Sequence, residues 1–180
     1  SVELDRQPEQ YEDYNILTWV NPHTSRFIST RNFELTDRSG EVFGRALSQW
    51  CVIDFVRRMP VVLEEVEGLF SPDYYCDEPS PCEAPRKVRG IEPSITRLHE
   101  VRYSDIDFNR HVNTLRYVDM IFDMLTLELI ESNNGLRIDI NFIAEARYGE
   151  TLSIGAQNSD KEWVFEIASD SGKTLCRARI

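Results

Sequence analysis

Apolar and polar positions alternate along much of the chain, and that alternation predicts strands. Ile16, Leu17, Trp19 and Val20 mark a short strand over 14–20, and Phe27, Phe33 and Leu35 share one face of a longer one over 26–37. Asp37-Arg38-Ser39-Gly40 reads as a hairpin turn, with the glycine supplying the positive φ such turns need. A long return strand over 41–55 carries Phe43, Leu47, Trp50 and Val52, and another is expected over 97–103. The period then changes. Over 112–130, Val118, Ile121, Phe122, Leu125 and Leu129 form one helical face, while Arg116, Asp119, Asp123 and Thr126 form a narrow polar stripe. Asn133-Asn134-Gly135 is expected to stop this long helix, and strands follow over 136–144, 151–156, 162–169 and 173–179.

The pattern repeats. Phe33-Glu34-Leu35 recurs as Phe165-Glu166-Ile167, Ser39-Gly40 as Ser171-Gly172, and Arg45-Ala46 as Arg177-Ala178, each at the same offset of 132 residues. Chance matches single pairs easily, but it hardly preserves their order and spacing. Two copies of one unit are therefore expected, each a helix followed by antiparallel strands. The first copy begins where the second has already finished its helix, so about 40 residues of that copy are expected to be missing. Its sheet would leave Phe33, Leu35 and Trp50 open, a liability that upstream residues or another chain, as in a homodimer, would cover.

Six of the eight prolines (60, 72, 79, 81, 85 and 93) fall between residues 60 and 96. Pro79-Ser80-Pro81 continues neither a helix nor a central strand, which makes this stretch a surface linker. The division expected is 1–58 for the incomplete first copy, 59–96 for the linker and 97–180 for the second copy.

The net charge of −11 argues against a nucleic-acid partner, which calls for a basic face. No apolar run is long enough to span a membrane. Four scattered cysteines (51, 76, 82 and 176) do not form a disulfide framework and fit a reducing compartment. Cys76 and Cys82 lack a partner pair for a metal site. The sequence starts at Ser1, so any targeting peptide would lie upstream of it. A cytoplasmic protein is expected, or a plastid one if a transit peptide was removed.

One stretch concentrates chemistry: Asp105-Ile106-Asp107-Phe108-Asn109-Arg110-His111-Val112-Asn113. It lies at the mouth of the expected helix, where backbone N–H groups lack partners and suit a carbonyl oxygen or an anion. A calcium loop would place Asp105, Asp107 and Asn109 at its first, third and fifth positions. It then puts Arg110 where glycine belongs and Arg116 where a bidentate glutamate belongs. A zinc site on Asp105, Asp107 and His111 lacks a second nitrogen or sulfur ligand nearby. Simple capping by Asn109 or Asn113 explains each residue singly. Together they are more polar groups than a cap calls for.

Residues 107–113, Asp-Phe-Asn-Arg-His-Val-Asn, resemble the D-x-N-x-H-V-N motif of acyl-[acyl carrier protein] thioesterases, and more widely those of hotdog-fold thioesterases. Glu145-Ala146-Arg147-Tyr148-Gly149-Glu150 resembles the acidic segment that supplies that family's last active-site residue, and Arg45-Ala46-Leu47-Ser48-Gln49-Trp50 resembles a strand of its first repeat. The resemblance covers nearly the whole chain. It implies an α+β double hotdog, each antiparallel sheet wrapping a long helix and the two sheets joined edge to edge, with the first repeat incomplete. It carries over Asp107, Asn109, His111 and Glu145 as catalytic residues, with no cofactor and no metal. Ala146 stands where plant members carry a cysteine, which excludes a nucleophile there.

The expected reaction is hydrolysis of an acyl-phosphopantetheine thioester on acyl carrier protein. Rival readings are an acyl-CoA thioesterase and a non-catalytic acyl-thioester-binding protein. No serine sits in a Gly-x-Ser-x-Gly elbow, so water is the expected nucleophile, activated by Glu145 or His111. Glu145 is favoured as the base, raised in basicity by burial. Asn109 is expected to orient the water or the thioester carbonyl, and Asp107 to hold its neighbours. Backbone N–H groups near Val112 and Asn113 would bind the oxyanion. Asp105 lies outside the motif and is expected to matter far less. Carrier proteins are acidic, as this chain is, so docking would need a local basic patch. Arg86, Lys87 and Arg89 are the leading candidates, and Arg57-Arg58 is another.

Overall fold

The 132-residue repeat returns as backbone pairing. In one hairpin Phe33 faces Ala46, Glu34 faces Arg45 and Leu35 faces Gly44, and an irregularity follows between Leu35 and Thr36. In the other, Phe165 faces Ala178, Glu166 faces Arg177 and Ile167 faces Cys176, with the irregularity between Ile167 and Ala168. Register and bulge coincide at the same offset, so the two hairpins are equivalent elements. The computed structural model describes residues 1–23, 25–66, 72–132, 135–159 and 162–180. The chain divides into two compact units, Ser1–Pro85 with Gly135–Arg137, and Arg86–Asn134 with Ile138–Ile180.

The first unit holds β1 (Val2–Leu4), β2 (Tyr14–Val20), β3 (Ser29–Asp37) and β4 (Val42–Trp50), paired antiparallel in the order β2-β3-β4-β1. Asp37 closes the β3–β4 turn: its Oδ1 accepts the N–H groups of Ser39 and Glu41, and Gly40 takes φ 86°. Among the described residues this unit carries no α-helix. One face of its sheet opens into a groove of about 920 Å³ lined by Val20, Phe33, Trp50 and Tyr75 among others. Trp50 is 62% exposed, whereas Phe33 and Leu35, expected to lie open, are half-buried.

The second unit contains β5 (Ile95–Glu100), α1 (Thr114–Phe122), α2 (Leu127–Ser132), β6 (Leu136–Phe142) from Ile138 onward, β7 (Thr151–Ser159), β8 (Glu162–Ser169) and β9 (Thr174–Arg179). The strands pair antiparallel in the order β6-β9-β8-β7-β5. Tyr117, Met120, Ile121 and Met124 pack against Leu152, Ile154, Phe165, Ile167, Leu175 and Ala178, all buried. This sheet wrapped on a helix is the hotdog arrangement expected. Truncating Ile121, which is fully enclosed, to alanine would cost roughly 2–5 kcal/mol.

The helix departs from its expected length. A continuous helix over 112–130 was expected, but α1 stops at Phe122 and α2 begins at Leu127. Met124 and Leu125 turn back to Ile121 and Phe122 with short i→i+3 bonds. Thr126 then caps α2, its hydroxyl accepting the Leu129 N–H, and Arg97 on β5 donates to the orphan carbonyl of Asp123 at 2.7 Å. Because α1 ends early, its buried face centres on Tyr117, Met120 and Ile121 rather than on the expected stripe through Leu125 and Leu129. Of the expected stop signal, Asn133 and Asn134 lie outside the described residues.

Residues 86–94 run over the sheet face turned away from α1. The Val88 N–H donates to Asn141 Oδ1 at 2.7 Å, Asn141 Nδ2 donates to the Arg86 carbonyl, and the Ser94 N–H donates to the Ala156 carbonyl. Gly155 is required beneath this strap, since a Cβ there would lie 2.8 Å from Pro93. Among the described residues no helix is long and apolar enough to cross a membrane.

Candidate active site

The polar stretch folds as a tight hairpin. Ile106 and Val112 face each other as an isolated bridge, and the Asp107 N–H donates to the His111 carbonyl at 2.9 Å. The Arg110 N–H donates to the Asp107 carbonyl, and Arg110 then takes φ 63°. A turn followed by one left-handed residue is a common three-residue hairpin loop, and glycine usually fills that last place. Asp107 Oδ1 accepts the N–H groups of Asn109, at 2.8 Å, and His111, at 3.3 Å. Its carboxylate therefore organises the loop from inside. Phe108, at the tip, is 93% exposed.

Asp105 anchors the hairpin to the sheet and to α1. Its side chain is buried, and Oδ2 accepts the Arg102 N–H at 2.8 Å and His99 Nε2 at 2.9 Å. Its carbonyl accepts the Asn113 N–H at 2.8 Å, and Arg116 Nε lies 3.9 Å from Oδ1. Burial works against the ionised form, but these donors outweigh it and hold the Asp105 carboxyl below its ordinary value. Asp105, which lies outside the motif, is a buried carboxylate joining β5, the hairpin and the start of α1. His99 went unnoticed in the sequence, although alternation along β5 sets it apart from exposed Leu98 and Glu100. The Asp105 carboxylate turns to the Arg102 N–H and His99, and that of Asp107 to loop N–H groups, and among the described residues no His/Cys/Asp/Glu group is arranged for a metal.

Asn113 caps α1, its Oδ1 accepting the Leu115 N–H at 2.9 Å. The N–H groups assigned to the oxyanion are already committed. Val112 donates to the Ala146 carbonyl at 2.9 Å and Asn113 to the Asp105 carbonyl. Neither of these two N–H groups is therefore open to a bound oxygen.

The segment 145–147 lies against the hairpin, with His111 directly opposite Arg147. Ala146 points inward and is fully buried; its N–H donates to the Tyr117 hydroxyl at 3.2 Å. Burial pushes the Tyr117 phenol up to about 12, although the Ala146 N–H pulls the other way. Glu145 points outward, and its Oε2 lies 3.3 Å from His111 Nε2, with 46% of the Glu145 side chain and 17% of the His111 side chain exposed. The expected burial of Glu145 is thus corrected, since the carboxylate is half open. The Asn109 carboxamide is exposed and makes no hydrogen bond among the described residues. Cys176 is buried in the core, and burial pushes its thiol up to about 12, which disqualifies it as a nucleophile. Arg86, Lys87 and Arg89 are exposed on the strap, on the sheet face opposite α1.

Comparison with known proteins identifies the family. The family model for the acyl-ACP thioesterase C-terminal domain matches residues 89–180, and that for the N-terminal domain matches residues 1–69. A solved acyl-ACP thioesterase from Bacteroides thetaiotaomicron is 33% identical, with a TM-score of 0.85 over 99% of this chain and 72% of that one. The 12:0-ACP thioesterase from Umbellularia californica shares the fold at 18% identity, with a TM-score of 0.86 over 99% of this chain and 70% of that one. A chloroplastic palmitoyl-acyl carrier protein thioesterase from Gossypium hirsutum is 26% identical over 98% of this chain and 43% of its own length. A chloroplastic acyl-[acyl-carrier-protein] hydrolase from Cuphea viscosissima is 27% identical over 89% of this chain and 40% of its own length. The chain thus spans less than half the length of these two curated relatives.

Proposed function

From the premise that this chain belongs to the acyl-ACP thioesterase family, we propose that it hydrolyses the thioester of an acyl chain carried on acyl carrier protein. The observation that carries this reading is the 3.3 Å contact between His111 Nε2 and Glu145 Oε2, with Asn109 two residues before His111 in the same hairpin. A water held between Glu145 and Asn109 attacks the thioester carbonyl carbon, and its proton passes to the Glu145 carboxylate. The carbonyl oxygen becomes an oxyanion. Its collapse breaks the C–S bond, and the thiolate takes a proton from His111 or from protonated Glu145. The products are a free fatty acid and the carrier thiol. Asp107 keeps the hairpin in shape, and Asn109 donates its amide to the carbonyl or the water.

Docking of the acidic carrier is assigned to Arg86, Lys87 and Arg89. The four cysteines are free thiols, which supports a reducing compartment, either the cytoplasm or, as the names of the plant relatives suggest, a plastid.

The test is to incubate the chain with carrier-bound acyl groups and with acyl-CoA, and to weigh the products. Release of free fatty acid with a preference for the carrier-bound form is expected. Faster turnover of acyl-CoA would make it a CoA thioesterase, and thioesters that bind but persist would make it a binding protein.

A further inference from the structure

The N–H groups of Val112 and Asn113 are committed to carbonyls and do not serve the oxyanion of the proposed reaction. Arg147 is placed to serve it. It lies directly opposite His111 in an antiparallel bridge, and opposed residues of such a pair project to the same face with Cβ atoms about 4.5–5.5 Å apart. Glu145, two positions earlier, turns to that face as well, as its 3.3 Å contact with His111 attests. The residue between them, Ala146, points the other way into the core. The register thus lines up Glu145, His111 and Arg147 on one side of the bridge.

Arg147 is also exposed, and among the described residues it makes no hydrogen bond or ion pair through its guanidinium. In a chain of 31 acidic and 20 basic residues many arginines are instead paired. Arg6, Arg45, Arg116, Arg177 and Arg179 each hold a carboxylate. A cation without a counter-ion, beside an acid–base pair, fits an anion that exists only during the reaction.

We propose that Arg147 is a catalytic residue whose guanidinium stabilises the oxyanion of the tetrahedral intermediate, sharing it with the Asn109 amide. The inference rests on the thioesterase reading above and deepens it. The guanidinium presents N–H donors in a planar fork that stays charged throughout turnover. It is aimed at charge that develops on the carbonyl oxygen, so its contribution falls on the chemical step more than on substrate binding.

The experiment compares the wild type with Arg147→Gln, Arg147→Lys and Arg147→Ala on carrier-bound and CoA-bound acyl chains, with and without added guanidinium chloride at millimolar concentration. Loss of one buried oxyanion donor typically costs about 10²–10³ in kcat; for an exposed arginine a loss of about 10- to 100-fold is expected in the Gln and Ala variants. KM should stay within about twofold on both substrates. Arg147→Lys should recover part of the rate, and guanidinium should restore part of the Ala variant's kcat while leaving Asn109→Ala unrescued. Unchanged kcat overturns the proposal. So does a rise in KM confined to the carrier-bound substrate, which would make Arg147 a docking contact. A lower kcat with a lower Tm and no rescue by lysine or guanidinium also overturns it, as the mark of a structural role. A wild type inert on every thioester would remove the thioesterase reading and this inference with it. A wild type that works and is matched by its Arg147 variants removes this inference alone.

Discussion

The hydroxyl of Tyr117, on the inner face of α1, accepts the backbone N–H of Ala146 at 3.2 Å, so the core side of the helix holds the strand that presents Glu145 outward. Ala146 is gripped twice, since its carbonyl also takes the Val112 N–H at 2.9 Å. Tyr117→Phe keeps the ring and its edge contact with Phe142 but strands a buried N–H. Leaving such a donor unsatisfied costs about 1–3 kcal/mol. Stability by denaturant titration should fall by that amount. The kcat should fall as Glu145 drifts from His111, while KM changes little. A Phe variant with wild-type stability and kcat would show that the hydroxyl does not position Glu145.

Glu145 and His111 share one contact, and their replacement separates their roles. Removal of a general base typically lowers the rate by about 10²–10⁴-fold. Glu145→Gln and His111→Ala are both expected to fall in that range while keeping the wild-type circular dichroism spectrum. Near-full activity in Glu145→Gln would move the base to His111, and the pH–rate profile of that variant would then report the imidazole.

The repeat, the hairpins and the hotdog wrap were legible in the sequence because each rests on local signals: alternation, a turn glycine, a matched offset. The polar stretch stood out for the same reason, as polar residues crowded beside an apolar helix. What escaped the sequence depends on long-range geometry. Nothing local shows that the Val112 and Asn113 N–H groups find carbonyls at Ala146 and Asp105. Nor does it show that Arg97, from β5, reaches the Asp123 carbonyl where the helix breaks. Tyr117 reads as one more apolar position until its hydroxyl meets a strand some thirty residues away.

Arg86, Lys87 and Arg89 sit on a strap fastened to the sheet through Asn141 and Ala156, which holds their backbone at a fixed place. If they dock an acidic carrier, reversing all three to glutamate should raise KM for carrier-bound substrate by about tenfold, with added salt narrowing the difference. The KM for acyl-CoA should rise less. Equal changes on both substrates would remove these cations from carrier recognition.

Asp105 makes the fold sensitive to acid in a defined window. Its carboxyl titrates lower in the folded chain than its ordinary value of 3.8, because the ionised form is held by the Arg102 N–H, His99 and Arg116 in spite of burial. A group with a depressed folded value adds stability that is fully present above its unfolded value and is lost as pH falls through the folded one. The contribution is therefore complete at neutral pH and fades below about pH 4. Asp105→Asn keeps an acceptor for one donor but loses the charge. At pH 7 it should lower stability by about 1.5–3 kcal/mol, the range for hydrogen bonds to a charged group. It should also lower kcat, because the hairpin carrying Asn109 and His111 loses its anchor. Tm measured from pH 7 to pH 3 should fall less steeply in the Asn variant than in the wild type below pH 4, so that the two curves converge. Parallel curves through that range would mean that the Asp105 charge adds nothing to the fold.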